Sequence, residues 1–360
     1  MLTRRTALLA TGAFALLPGA SRARPSARGN PEVEALAAQA GFNGVIATGR
    51  NGRVDYIRAF GAADLEAHVP LRADSLFCIA SISKWLTAAA VLRLVDRNRL
   101  SLDAPITEWL PAYRADTGAR LNLRRLLSNT SGVPTAPFGA AVNEDRSLLT
   151  RPVPIDEAIR RFCQGDLAFE PGTRFDYAFT NWIIILAIIE AVTGRPYPAA
   201  MRNLVLDQLG LRRTDVTDAL AGSRATAVSY RTLSPILRQT NDRLPMMAAA
   251  AGFYSDAAGL VRAAHGIFDR NFLSAGSQRT LRNVVVPTED YALGGRIRSL
   301  QIGGRAVETA WNTGSSAGYR SLMVHRFDTH TTAIVLNNAS MAGDVRARLA
   351  ERLIGASSGA

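Results

Sequence analysis

The sequence predicts an α/β protein of the α+β type. One antiparallel sheet is drawn from both ends of the chain and flanked by helices, with a mostly helical subdomain inserted at about residues 100–285. Three observations carry this expectation. Strand-like segments occur near residues 44–60 and again over 294–336. Between them the Gly and Pro punctuation is denser and the regular segments have apolar residues at helical spacing. Finally, 360 residues with 48% hydrophobic and 20% charged side chains are enough for a sizeable core, and exclude a disordered, collagenous or disulfide-dense chain.

Residues 1–23 are set apart before the fold begins. They read Met-Leu-Thr-Arg4-Arg5-Thr, then Ala7 to Leu17 without charge, then Pro18-Gly-Ala-Ser-Arg-Ala23. An arginine pair, an apolar run and small residues form an export signal of the twin-arginine type. The run is much shorter than the ~20 residues that span a bilayer, so no stable membrane span is expected. An exported protein is therefore predicted, periplasmic or secreted, with residues 24–360 as a single domain.

Pro31 to about Gly41 reads as a short helix. Gly44–Thr48 and Arg53–Phe60 flank Asn51-Gly52, the strongest short hairpin signal. Ser81 to about Asn98 lacks Gly and Pro and spaces Trp85, Leu86, Ala89, Leu92 and Val95 as a helix does. Further helices are expected over Ile155–Cys163, Trp182–Val192 and Tyr197–Leu209. The second is apolar nearly all round and too short to cross a membrane, which makes it a core helix. Strands are expected at Gly294–Ile302, Ala306–Trp311, Tyr319–Arg326 and Thr331–Leu336, before a last helix over Asp344–Ile354.

The chain carries 42 basic and 30 acidic residues, a net charge of +12. Its arginines stand singly or in scattered pairs (Arg124-Arg125, Arg160-Arg161, Arg212-Arg213), with no aromatic-interleaved basic patch, so no nucleic-acid partner is expected. Cys78 and Cys163 sit in apolar surroundings and are open to two readings, a disulfide in an oxidising compartment or two buried thiols. His68, His265, His325 and His330 show no metal-site spacing, and no metal or other cofactor is expected.

Among the 42 basic residues there is one lysine, Lys84. It follows Ser81 by three positions, which on a helix places both side chains on one face. A serine hydroxyl becomes a nucleophile only when a base takes its proton. Lysine can be that base where desolvation and positive neighbours favour the neutral amine, whereas arginine stays protonated. Ser83 is nearer in sequence, but adjacent helix positions diverge by about 100°. Ser81 and Lys84 are thus the candidate catalytic pair.

The residues around this pair closely resemble the serine β-lactamase superfamily, in particular class C β-lactamases, D-alanyl-D-alanine carboxypeptidases and family VIII esterases. The resemblance rests on Phe77-Cys-Ile-Ala-Ser81-Ile-Ser-Lys84 followed by a long helix and Leu102-Asp103. It continues through Asn122 to Pro134, then Pro171 to Tyr177 with the apolar helix and Val192-Thr-Gly194. Ala251-Gly-Phe-Tyr-Ser-Asp and Asn312-Thr313-Gly314 with Gly318-Tyr319 complete it. It implies a β-lactamase/transpeptidase-like fold in which Ser81 is acylated, Lys84 is its base partner and Tyr177 shuttles the proton. It implies an oxyanion hole built from the backbone N–H groups of Ser81 and Ser315. Phe179, Asn312, Thr313 and Gly314 would face the substrate.

Three positions depart from the family's pattern. Where the second motif carries Tyr-x-Asn, this chain has Tyr177-Ala178-Phe179, and Asn181 two residues on is not expected to replace the amide. Asn312 stands where the third motif carries Lys or His. Asn129 replaces the usual His of the Ser-Gly loop and reads as structural. The first two losses fall on groups that recognise amide and carboxylate, each a matter of about 1–3 kcal/mol, enough to change substrate preference and leave the chemistry. The expectation is a serine hydrolase acting on a small-molecule ester or amide through an acyl-enzyme, with small carboxylic esters preferred. Two alternatives are a β-lactamase or carboxypeptidase-like amide hydrolase and a non-catalytic binding protein of the same fold. A third, a nucleophile elbow at Gly314-Ser-Ser316-Ala-Gly318, requires a strand before the serine and a helix after it.

Overall fold

The computed structural model describes residues 29–149, 151–216, 225–241, 245–341 and 343–356. The export segment expected over residues 1–23 lies outside these. Two strands come from the N-terminal side, β1 (Gly44–Arg50) and β2 (Arg53–Phe60). Four come from the C-terminal side: β3 (Arg296–Ile302), β4 (Arg305–Ser316), β5 (Tyr319–Arg326) and β6 (Thr331–Asn337). They form one sheet in the order β2-β1-β6-β5-β4-β3. All five pairings are antiparallel.

The β1–β2 connection is the tight turn the sequence announces. Asn51 and Gly52 both have positive φ, 51° and 74°, the pair of left-handed residues a type I′ hairpin needs. The seam between the two halves of the chain is β1 against β6, in register from Gly44↔Asn337 to Arg50↔Thr331. Successive side chains alternate between two cores, as the period of a strand requires. Ile46, Ala333 and Val335 point to one face, where they meet Val33 of helix α1 (Pro31–Gln39) and Leu349 and Leu353 of the last helix. Val45, Ala47, Ile334 and Leu336 point to the other, into the larger core.

Helix α2 (Ser83–Asp96) crosses that larger core, buried from Ser83 to Leu92 without a break. It starts two residues later than the apolar spacing suggests, because Ala80 is left-handed (φ 46°) and Ala80–Ile82 winds into a 3₁₀ turn first. Trp85 meets Phe268 edge to face at 4.8 Å, joining α2 to a helix that covers β1 and β6. Helix α3 (Thr180–Thr193) is the centre of the helical region, buried from Thr180 to Ile189 and stopped by Gly194 in the left-handed conformation (φ 65°). Among the described residues no single helix is long and apolar enough to cross a membrane.

Two expected helices begin as α-helix and widen: Ile155–Ala158 into a π turn over Ile159–Cys163, and Tyr197–Met201 into another over Arg202–Leu206. The segment at 100–285 also contains extended pieces. Tyr230–Leu233 pairs with Ile236–Arg238, and Tyr254–Ser255 reaches out to pair with Phe77–Cys78. Helix α4 (Ala257–Phe268) falls within that range of sequence but packs on β1 and β6 rather than among the other helices. The chain ends with α5 (Gly343–Ala356), which covers the opposite face of β5 and β6.

The two cysteines are not joined. The Cys78 thiol lies 3.6 Å from the carbonyl oxygen of Ala251 and the Cys163 thiol 3.8 Å from that of Thr180. Burial pushes the Cys163 thiol far above its ordinary pKa, which makes it an inert core side chain.

Because β6 is the seam strand and Ile334 is fully buried on it, Ile334→Ala should lower the unfolding free energy by about 2–5 kcal/mol. Chemical denaturation with an unchanged m-value is the measurement that checks it.

Candidate active site

β4 runs further than its neighbour. Its last pairing with β3 is Trp311↔Arg296, whereas its pairing with β5 continues to Ser316↔Tyr319. Asn312–Ser316 therefore present a backbone edge that β3 does not cover. The turn carrying Ser81 docks against this edge. Asn312 Nδ2 donates to the Ser81 carbonyl oxygen at 2.9 Å and lies 3.3 Å from that of Gly294. From the next strand, Ser321 Oγ donates to the Ile79 carbonyl oxygen at 2.9 Å. Contact is close enough that a Cβ on Gly314 would lie 2.3 Å from the Ile79 carbonyl oxygen and 3.1 Å from Ala80 Cβ.

Helix α2 presents Lys84 one turn after Ser81. Its Nζ is 3.3 Å from Ser81 Oγ and donates to the Ala250 carbonyl oxygen at 2.8 Å. The side chain is buried, with the ammonium 4.9 Å from the ring centre of Tyr177 and 5.1 Å from that of Trp182. Such contact with π faces attracts a cation. Tyr177 arrives from the loop before α3. The residue is 44% exposed, and its phenol lies within reach of the Ser81 and Lys84 side chains. Burial alone would raise the Tyr177 pKa. The Lys84 charge, the nearby polar side chains of Ser81 and Lys84 and the charge of Arg296 outweigh it and bring the phenol below its ordinary 10.

A second tyrosine stands beside it with the opposite tendency. Tyr291 meets Tyr177 edge to face at 6.1 Å and lies 5.1 Å from Phe175. Full burial, with the Tyr177 charge added, pushes its phenol well above 10. Of the two phenols, Tyr177 is the more readily ionised.

The remaining expected site residues divide. Thr313 and Ser315 are exposed on the edge of β4, with Gly314 buried between them. Phe179 caps the start of α3 and packs edge to face on Phe138 at 4.6 Å. Asn312, expected to face substrate, is instead only 3% exposed, its amide committed to the carbonyls of Ser81 and Gly294. Asn181 is buried as well; it accepts from Ser131 Oγ at 2.5 Å and donates to Asn129 Oδ1 at 3.1 Å. Asn129, left-handed at φ 56°, accepts from the Asp176 amide through its carbonyl oxygen and fixes the loop leading to Tyr177. Gly314–Gly318 is a β-hairpin with no helix after it, and Ser316 Oγ donates to Asn241 Oδ1 at 2.6 Å. The elbow reading is thereby excluded.

Four groups at the site were not anticipated from the sequence: the Ala250 carbonyl, Trp182, Tyr291 and Arg296. Each reaches Lys84 or Tyr177 from a distant part of the chain, so no local spacing marks it.

A sheet closed by both ends of the chain, a Ser-x-x-Lys turn opening a buried helix and a tyrosine on the same pair define the architecture of β-lactamases and penicillin-binding proteins. The β-lactamase family model matches residues 31–356, and the chain belongs to that family. An esterase of Burkholderia gladioli, EstB, is 40% identical over 178 residues, 47% of this chain and 45% of that protein. A penicillin-binding protein of Bacillus subtilis strain 168 is 25% identical over 326 residues, 85% of this chain and 70% of the other. The chain thus spans less than half the length of the esterase. The octameric penicillin-binding protein homologue from Pyrococcus abyssi shares the fold, with a TM-score of 0.78 at 22% identity over 91% of this chain and 77% of that one.

The tight seat of Gly314 yields a test. Gly314→Ala should push the Ile79–Ser81 turn off the strand edge and slow labelling of Ser81 by a fluorophosphonate about 100-fold. Far-UV circular dichroism should be unchanged.

Proposed function

We propose that this protein is a serine hydrolase that forms an acyl-enzyme on Ser81 and acts on small carboxylic esters. The observation that carries the reading is the placement of Lys84 Nζ 3.3 Å from Ser81 Oγ and 4.9 Å from the centre of the Tyr177 ring. Tyr177, ionised beside the lysine cation, takes the Ser81 proton as Oγ attacks the ester carbonyl. The oxyanion is received by the backbone N–H groups of Ser81 and Ser315, one in the docked turn and one on the open edge of β4. Tyr177 returns the proton to the leaving alkoxide, the C–O bond breaks, and the acyl group remains on Ser81. Water then enters, Tyr177 takes its proton as the water oxygen attacks the acyl carbon, and Tyr177 returns that proton to Ser81 Oγ as the acyl C–O bond breaks and the acid leaves. Lys84 holds the tyrosinate charge throughout.

Preference for esters is supported by what has been lost. The ring of Phe179 stands where the family offers an amide, and the Asn312 amide is spent on backbone carbonyls. A substrate amide or carboxylate would leave polar atoms unmatched at these two positions. The similarity to EstB, named an esterase, points the same way. The twin-arginine pattern of residues 1–23 supports action outside the cytoplasm.

Purified protein should cleave short p-nitrophenyl esters and be labelled by a fluorophosphonate at Ser81, with both lost in Ser81→Ala. Turnover of nitrocefin or of a D-alanyl dipeptide without ester cleavage would overturn the ester preference. Absence of labelling would leave a non-catalytic protein of this fold.

The pH profile gives a second test. Catalysis needs the Tyr177 phenolate, so kcat/KM should rise with pH and level off above the Tyr177 pKa, with its acid limb below pH 10. Arg296 helps to lower that pKa. Arg296→Gln should therefore move the limb to higher pH and leave the plateau rate little changed.

A further inference from the structure

Three of the four histidines, dispersed in the sequence, meet at the end of the sheet away from the nucleophile. His265 and Asp269 stand one turn apart where α4 ends. His325 lies on β5 and His330 in the turn from β5 to β6. Their rings converge on one carboxylate. His265 Nδ1 is 2.9 Å from Asp269 Oδ2, His325 Nε2 is 3.1 Å from Oδ1, and His330 Nδ1 is 2.9 Å from Oδ1. The donor atoms of Asp269, His325 and His330 all lie within 4.8 Å of one another.

We infer that His325 Nε2, His330 Nδ1 and a carboxylate oxygen of Asp269 form a binding site for one borderline divalent cation, with zinc the ion their chemistry suits. Two imidazoles and a carboxylate are a zinc donor set, and His265 is the outer partner that holds the other carboxylate oxygen. Bonds of about 2.0–2.1 Å in a tetrahedron separate ligand atoms by about 3.3 Å. The observed nitrogen–oxygen separations need to open by only a few tenths of an ångström.

The shell around the donors favours the same use. His325 is fully buried and stacked on Phe268, ring centres 5.5 Å apart with an interplanar angle of 16°. Its other nitrogen, Nδ1, is 2.9 Å from Thr332 Oγ1. With the proton on Nδ1 donated to that hydroxyl, the Nε2 lone pair is free to coordinate, which is the outer hydrogen bond metal-bound histidines make. The His330 side chain is 48% exposed and the Asp269 side chain 4%. The site thus has a buried floor and an open mouth, through which an ion enters and a water completes the fourth position. Asp269 and His325 come from segments 56 residues apart in sequence. A bound ion would clamp the end of α4 to the β5–β6 hairpin. His325 is four residues along β5 from Ser321, about 13 Å at about 3.3 Å per residue. The ion acts on the fold and takes no part at Ser81.

The full chain, stripped with a chelator and dialysed, is titrated with zinc by calorimetry and followed by thermal unfolding. We expect one zinc per chain at micromolar or tighter affinity, a raised unfolding midpoint, and with cobalt(II) the intense visible bands of a four-coordinate site. Asp269→Asn, and His330→Asn, which suits the left-handed backbone there (φ 54°), should each weaken binding at least about tenfold. His68→Ala, at the histidine outside the cluster, should leave it unchanged. Lack of saturable binding, or equal affinity in the Asp269 and His330 variants, overturns the site.

Discussion

The site depends on a strand that outruns its neighbour. Had β3 continued alongside Asn312–Ser316, the outward backbone groups of that stretch would be spent on a ladder. Because it stops at the Trp311↔Arg296 pair, the edge is left for the Ser81 turn to dock on. Asn312 and Ser321 hold the turn by two side chain–backbone bonds, and Gly314 lets it approach. From behind, Arg346 of α5 donates to the carbonyl oxygens of Gly314 and Ser321, at 2.9 and 3.1 Å, and stiffens the same stretch. Ser81 and the Ser315 backbone are thereby held by elements of the sheet and not by free loops, the rigidity that the proposed chemistry requires.

Around this frame the electrostatics divides the labour between two similar side chains. Tyr177 and Tyr291 are neighbouring phenols in one cluster, and their environments drive them apart. One sits against Lys84 and feels the charge of Arg296; the other is sealed among rings. Two titratable groups pushed in opposite directions are the pattern that the proposed proton transfer needs. The buried lysine, held by a backbone carbonyl and two aromatic faces, is what makes the difference.

Much of the fold was legible in the sequence, for identifiable reasons. The Asn51-Gly52 turn, the alternation in the C-terminal strands and the apolar run of α3 are local signals of local physics, and the structure forms each of them. Two helices widened into π turns, and α4 left the helical region to cover the sheet, because packing decides both and spacing records neither. At the candidate site the Ser81–Lys84 relation is local and could be read from helix geometry. The inward turn of the Asn312 amide could not, since its partners lie on α2's leading turn and at Gly294. Likewise the histidines show no ligand spacing in sequence. The one local hint, His265 four residues before Asp269, needed β5 and β6 to give it meaning.

The β1–β6 seam has a consequence for the order in which the molecule assembles. Gly44 pairs with Asn337, so the central sheet closes a loop of most of the chain, a contact of very high sequence separation. Ser81 and Lys84 emerge early in synthesis, but the strands that clamp them are made last. A nascent or truncated chain without β4 and β5 carries Ser81 and Lys84 and lacks their harness. The candidate site is therefore completed late in folding, when the C-terminal strands dock against the Ser81 turn.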